Sequence, residues 1–191
     1  MPVRRNFVTI CCPDAATLQH VLRFDDGVLG RIAGISDTDA LERFHSCPDA
    51  FHCVVEESDA NSAGEGKAVH GFFILLPLTS GCVDRLRARA ITSSRQICAL
   101  DLATSEAPAG LYLSVVCARG RFARVAVIAG CMDAVGTWYR TKGVQVLFVR
   151  AATEEGAHML TRMTNEVFNA DRTIHEVNLS AYDAVLRFRR A

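Results

Sequence analysis

The sequence has no excess charge of either sign: 21 Lys and Arg against 21 Asp and Glu leave a formal net charge of zero. That excludes a whole-molecule pull toward nucleic acid or an acidic membrane, so any electrostatic function must be local. It also removes the repulsion that keeps chains apart, so a homodimer is compatible with the composition. Long apolar runs are missing as well. The longest, residues 72–78, is strand-sized, contains Pro77 and falls far short of a membrane span. The opening MPVRRNFVTICC carries two arginines but only a short apolar run before Pro13 and Asp14, too short for a secretory signal core. A soluble, cytoplasmic protein is expected, with neither nucleic acid nor membrane as a partner. The eight cysteines then read as reduced thiols in apolar strands and helices rather than as a disulfide framework. No internal repeat or low-complexity tract is visible.

What is present is the profile of a compact globular chain. Half of its 191 residues are hydrophobic and 22% are charged, enough for one domain with a full core. The most organised stretch is residues 110–149. Residues 111–117 form a nearly continuous apolar run broken only by Ser114, as expected of a strand buried on both faces. A basic loop, Ala118-Arg119-Gly120-Arg121, follows, its glycine free to take a left-handed conformation. Val125, Ile128, Met132, Val135 and Trp138/Tyr139 then recur at helical spacing. Gly143 ends that helix, and residues 144–149 supply a second buried strand. In such a strand–helix–strand unit the loop before the helix opens at the carboxyl edge of the sheet. The free N–H groups and partial positive charge of a helix N-terminus lie there, and Arg119, Arg121 and Arg124 reinforce that sign. An anion site is expected at this loop.

Around this unit the chain reads in order as follows. Residues 7–12 form a strand, and Pro13-Asp14 starts a helix with Leu18, Val21 and Leu22 on one stripe. Asp37 or Thr38 caps a short helix carrying Leu41 and Phe44, which ends near Cys47-Pro48. Residues 51–57 and 69–78 make a hairpin across the turn-forming loop SDANSAGEGK. Residues 81–109 read as an insertion with a basic helical piece. Thr153 caps a helix whose first turn carries Glu154 and Glu155, with Gly156, Leu160, Met163 and Val167 as its buried stripe. Residues 173–189 read as two strands around a turn near Ala181.

This order resembles the GCN5-related N-acetyltransferase (GNAT) family over nearly the whole chain. Its most specific part is LYLSVVCARGRFARVAVIAG, which looks like the central strand, pyrophosphate loop and following helix of that family. TEEGAHMLTRMTNEVF looks like the family's next helix. The resemblance implies an α/β fold: one GNAT-like domain over residues 1–191, with a central mixed, twisted sheet flanked by helices. It also implies acetyl-CoA or another acyl-CoA as cosubstrate. The pyrophosphate would sit on the loop amides and the pantetheine arm along the splayed central strand. The residues so implicated are Val115, Val116, Cys117, Arg119, Gly120, Arg121, Phe122, Ala123 and Arg124. The family pattern, Arg/Gln-x-x-Gly-x-Gly/Ala, places Phe122 and Arg124 at its small positions when read from Arg119. Read from Cys117, it puts Gly120 in register and Phe122 at the last small position. The tyrosine that the family often uses as general acid falls on Thr161.

The implied activity is acyl-CoA-dependent N-acyl transfer to a small amine or amino-acid-like acceptor. Two other readings stay open: a GNAT-fold binding module without catalysis, and a transferase for long acyl chains like the N-acyl amino acid synthases. Glu56, Glu57, His70, Tyr112 and Ser114 are the polar groups near the expected cleft, and no catalytic pair stands out among them. His45, Cys47, His52 and Cys53 cluster in FHSCPDAFHC. Adjacent strand residues point to opposite faces, so His52 and Cys53 are not expected to share one metal, and no metal is expected. Cys117, beside the loop, has no histidine near it in sequence to serve as a base and reads as a structural thiol.

Overall fold

The computed structural model describes residues 6–11, 17, 18, 21, 37–56, 68–104, 107–151, 153–164, 167 and 173–183. Six strands form one mixed sheet in sequence order: β1 (Phe7–Cys11), β2 (Phe51–Glu56), β3 (Gly71–Leu78), β4 (Gly110–Ala118), β5 (Val146–Val149) and β6 (His175–Asn178). Every neighbouring pair is antiparallel except β4 and β5, which are parallel. A parallel pair needs a crossover. That crossover is α3 (Arg121–Lys142), which ends at Gly143 in the left-handed conformation, φ 70°. The run of residues 111–117 is thus an interior strand between the hairpin and β5, in a mixed α/β fold with helices on both faces of the sheet.

Two apolar layers cover the sheet. On one face lie Leu18, Val21 and α1 (Asp37–Ser46), followed by α2 (Ser80–Arg87) and the short turns after it; they bury Phe51, Cys53, Phe72, Leu76, Tyr112 and Val115. On the other face, α3 and α4 (Glu154–Thr164) bury Val54, Phe73, Leu75, Leu111, Leu113 and Val149. β3, at the centre, is buried along its whole length. Pro77 is tolerated there because β2 pairs only with residues 71–74, so its missing N–H leaves no rung unmade on that side.

Local chemistry sets the helix starts. The Thr79 side chain accepts from Cys82 N–H at the head of α2, and the Thr153 side chain accepts from Gly156 N–H at the head of α4. Glycines set how closely α3 can pack. A Cβ on Gly71 would lie 2.6 Å from Val127 Cγ2 and 2.9 Å from the Cys117 carbonyl oxygen, so α3 presses directly on β3.

Several expectations shift. The buried stripe of α3 is Ala123, Val127, Cys131, Val135 and Tyr139, whereas Val125 is 63% exposed and Ile128 and Met132 are half-buried. This helix is apolar almost all round, so spacing alone does not select a face. On α4, Ala157 replaces Gly156 in the buried stripe, and Val167 lies beyond the helix and is exposed. Residue 57, the loop over residues 58–67 and the second tail strand lie outside the described residues, while Leu179–Tyr182 form a 3-10 turn after β6.

Candidate active site

The site begins with a mismatch of strand lengths. β4 pairs with β5 only through Leu111–Leu147, Tyr112–Phe148 and Leu113–Val149. β4 then continues to Ala118, still paired to β3 but with no strand on its other side among the described residues. Backbone N–H and C=O groups on that side have lost their ladder, and a buried or half-buried backbone needs partners. β5 ends at Val149, opposite Leu113, so the edge of β4 that faces it is without a strand partner from Ser114 onward among the described residues.

Ser114 marks where this edge begins. Between the Ile74–Val115 and Leu75–Leu113 pairs the register slips by one residue, and Ser114 is the extra residue of that bulge. Leu111 and Leu113 face the α3 layer before the slip, and Val116 and Ala118 face it afterwards, so the side-chain alternation has flipped. The Ser114 Oγ is buried and has no hydrogen-bond partner. β4 is thus buried on both faces only up to Leu113; Ser114, Val116, Cys117 and Ala118 are half-buried.

The basic loop is shorter than its sequence implies. Ala118 belongs to β4 and Arg121 to α3, leaving Arg119 and Gly120 as the whole connection. Gly120 has φ 80° and ψ 164°, an extended backbone with positive φ that L side chains rarely adopt, rather than the left-handed helical form. It is the N-cap of α3, with no side-chain cap and no acidic residue in the first turn. Because Arg124 N–H is the first to bond back, to the Gly120 carbonyl, the N–H groups of Arg121, Phe122 and Ala123 point off the helix end. Arg119, Arg121 and Arg124 are exposed, Phe122 is 73% exposed, and Ala123 is buried against the sheet. The Phe122 ring projects into solvent. Val115 is buried, and Val116 and Cys117 line the unpaired length of β4.

The polar candidates fall into two groups. His70 is at the loop end: its carbonyl accepts from Arg119 N–H, its ring packs edge-on to Phe7, and its Nε2 lies 3.5 Å from Glu56 Oε1. That contact is too long for a good hydrogen bond, and the nitrogen has no other partner. Ser114 and Tyr112 are at the other end, beside the last rungs of the β4–β5 ladder. Arg119 lies five residue steps beyond Ser114, about 17 Å at strand rise. Glu57 lies outside the described residues.

A polar cluster that sequence reasoning missed lies under Tyr112. Tyr112 is 1% exposed and hydrogen-bonds with the Ser94 side chain. Burial pushes its phenol up, while the Arg150 and Arg43 guanidinium groups pull it back. Arg43, in the last turn of α1, is 3% exposed and donates from Nη2 to the Ser94 carbonyl at 3.1 Å. Burial pulls its pKa below the usual arginine value against the attraction of Asp39. The sequence did hold a signal for it. Ala40, Arg43, Phe44 and Cys47 follow helical core spacing, so an arginine stands on the apolar stripe.

The FHSCPDAFHC residues do not converge. His52 stacks on Phe73 at 4.4 Å on the α3 face, whereas Cys53 is buried on the α1 face. Burial drives the His52 pKa down. None of the seven described cysteines forms a disulfide. No described helix is long and apolar enough to cross a membrane.

No family model matches this sequence, and no curated protein is similar to it. Solved structures resemble it only weakly. A crystal structure of a tyrosine-to-phenylalanine mutant of KacT shares 10% identity over 95% of this chain and 99% of that one, at a TM-score of 0.46. A KacTA–DNA complex shares 13% identity over 95% of this chain and 98% of that one, at a TM-score of 0.45. Likenesses this slight carry no function across.

Proposed function

We propose that this protein is an acyl-CoA-dependent N-acyltransferase that uses acetyl-CoA or another acyl-CoA and acts on a small amine or amino-acid-like acceptor. The observation that carries the reading is the junction itself. An interior strand loses its parallel neighbour after Leu113 and runs on to Ala118 paired only to β3 among the described residues, then turns through Gly120 into a helix without a side-chain cap and with three arginines at its start. The three free N–H groups and the guanidinium groups of Arg119, Arg121 and Arg124 suit a pyrophosphate. The open edge over Val115, Val116 and Cys117 suits a pantetheine arm, whose amides can bond to backbone as a strand would. The span from Arg119 to Ser114 is close to the length of an extended pantetheine arm, which brings the thioester to the bulge.

On this reading the residues divide by position. Arg119, Gly120, Arg121, Phe122, Ala123 and Arg124 surround the phosphates. Ser114, with its unpartnered hydroxyl, is placed to donate to the thioester carbonyl or to the departing thiolate. The amine attacks the carbonyl carbon, loses a proton and expels CoA as the thiol. His70 and Glu56 lie at the phosphate end, a strand-length from that chemistry, so neither is assigned the proton transfer.

One observation favours the alternative of a binding module without catalysis. Thr161, where the family resemblance places a tyrosine, donates its hydroxyl to the Ala157 carbonyl of its own helix at 2.9 Å. It offers a leaving thiolate no phenol-like acid. Acetyl-CoA incubated with a panel of amines separates the two readings. Release of free CoA thiol that depends on both the amine and the protein is the expected result. Tight acetyl-CoA binding with no acyl group moved to any amine would replace the enzyme by the binding module.

A further inference from the structure

Among the described residues Arg43 makes no ion pair. Its guanidinium is almost wholly buried, its only hydrogen bond among the described residues goes to a neutral carbonyl, and Nη1 is buried with no partner. The carboxylates that act on it make no ion pair with it. Asp101 is taken up elsewhere, by Arg85 Nη1 at 2.8 Å and by Cys98 N–H at 2.9 Å, and Asp39 is exposed. The Tyr112 phenol, which hydrogen-bonds with the Ser94 side chain, lies beside Arg43. A buried guanidinium nitrogen without a hydrogen-bond partner is costly unless an anion completes it. The position is telling: Tyr112 is one residue before the last β4–β5 rung, and Ser114 lies about 7 Å further along the strand.

We propose that Arg43, with Ser94 and Tyr112, holds the carboxylate of the acceptor, so that the acceptor is an amine bearing a carboxylate a few bonds away. This inference rests on the acyltransfer reading. Nη1 and the phenol offer donors for the two oxygens of a planar carboxylate, and Nη2 stays committed to the Ser94 carbonyl. A carboxylate anchored beneath Tyr112 leaves its amine near Ser114.

Two measurements test it. The first needs no ligand. If the partner of Arg43 is a substrate, replacing the buried charge by an apolar side chain of similar length in Arg43→Met leaves the melting temperature unchanged or raises it. A clear fall, or failure to fold, would make Arg43 a structural residue and overturn the inference. The second compares L-amino acids with their amides as ligands of the CoA-loaded wild type, using alanine, phenylalanine, lysine and glutamate. At least one free acid should bind about tenfold or more tighter than its amide, the usual scale for a hydrogen bond to a charged group, and Arg43→Met should erase that preference. Equal binding of acids and amides, no binding of either, or a preference that survives in Arg43→Met would each overturn it. The CoA response of the wild type, read in the same melts, reports separately on the acyl-CoA reading.

Discussion

At the head of α4 the Thr153 hydroxyl accepts from Gly156 N–H, and Glu154 and Glu155 meet the positive end of the helix. At the head of α3, on the same edge of the same sheet, the cap is a glycine without a side chain and the first turn holds no acid. Arginines stand there instead, against the helix dipole. The first terminus is satisfied from within the chain; the second has neither a side-chain cap nor an acid in its first turn. β4 and β5 differ in the same way. β5 stops four residues before its helix begins, whereas β4 runs two residues short of α3 with one edge unpaired. The difference teaches where to look: the open terminus and the open strand edge belong to one continuous surface.

The contrast breaks most sharply if α3 is given the acid that α4 already has. Arg121→Glu should leave the unliganded melting temperature unchanged or slightly higher, since an acid in the first turn contributes about 0.3–1 kcal/mol. It should weaken acetyl-CoA binding by about a hundredfold, through a lost charge-assisted contact and a new repulsion, as read by titration calorimetry. A variant that binds as well as the wild type would remove the pyrophosphate from this loop.

Next in size is the seating of α3. In Gly71→Ala the new methyl meets Val127 Cγ2 and the Cys117 carbonyl. Lifting the helix should cost about 1–3 kcal/mol by chemical denaturation, and it should loosen acetyl-CoA too, because the loop moves with the helix. The matching change on the closed side is Thr153→Ala. Loss of that cap should cost about 1 kcal/mol and leave the acetyl-CoA titration as it was. If the acetyl-CoA affinity falls instead, the two termini are not independent.

The smallest effect, far from both junctions, is a pH dependence. Burial holds the His52 pKa below its unfolded value, so the unfolded chain binds the proton more readily. Its contribution is fully present above the unfolded histidine pKa, about 6.5, and is lost as the pH falls toward the lower folded pKa. His52→Phe, which keeps a ring against Phe73, should flatten this part of the acid unfolding curve. An unchanged curve would mean that His52 is protonated as easily in the fold as outside it.

Much of the fold was legible because it follows from pattern. Residues 111–117 read as an interior strand from their unbroken apolar run, and Gly143 and Thr153 read as helix stop and start. The face of α3 was not legible. Val125 and Ile128 are as apolar as Val127, and the glycines at 71 and 130 are where the helix and the sheet approach too closely for a Cβ. A Cβ on Gly130 would lie 2.7 Å from Thr9 Cβ. The basic loop could be read, but its contraction to Arg119 and Gly120 could not, since Ala118 and Arg121 suit strand or helix equally. Ser114 stood out as the polar break in the run, yet a bulge exists only relative to a partner strand. Arg43 went unread although a charge stands there on an apolar stripe, and its lack of an ion pair appears only in the fold, where Asp101 is bonded to Arg85.

The most direct test of the central claim is the melting curve of the wild-type protein with acetyl-CoA. A ligand that binds only the folded state at about a hundred times its Kd adds roughly 2.7 kcal/mol. For a chain of this length that is a rise of about 5–10 °C, and it should shrink in high salt as the phosphate contacts are screened. A curve left unmoved by millimolar acetyl-CoA and by longer acyl-CoAs alike would contradict the account.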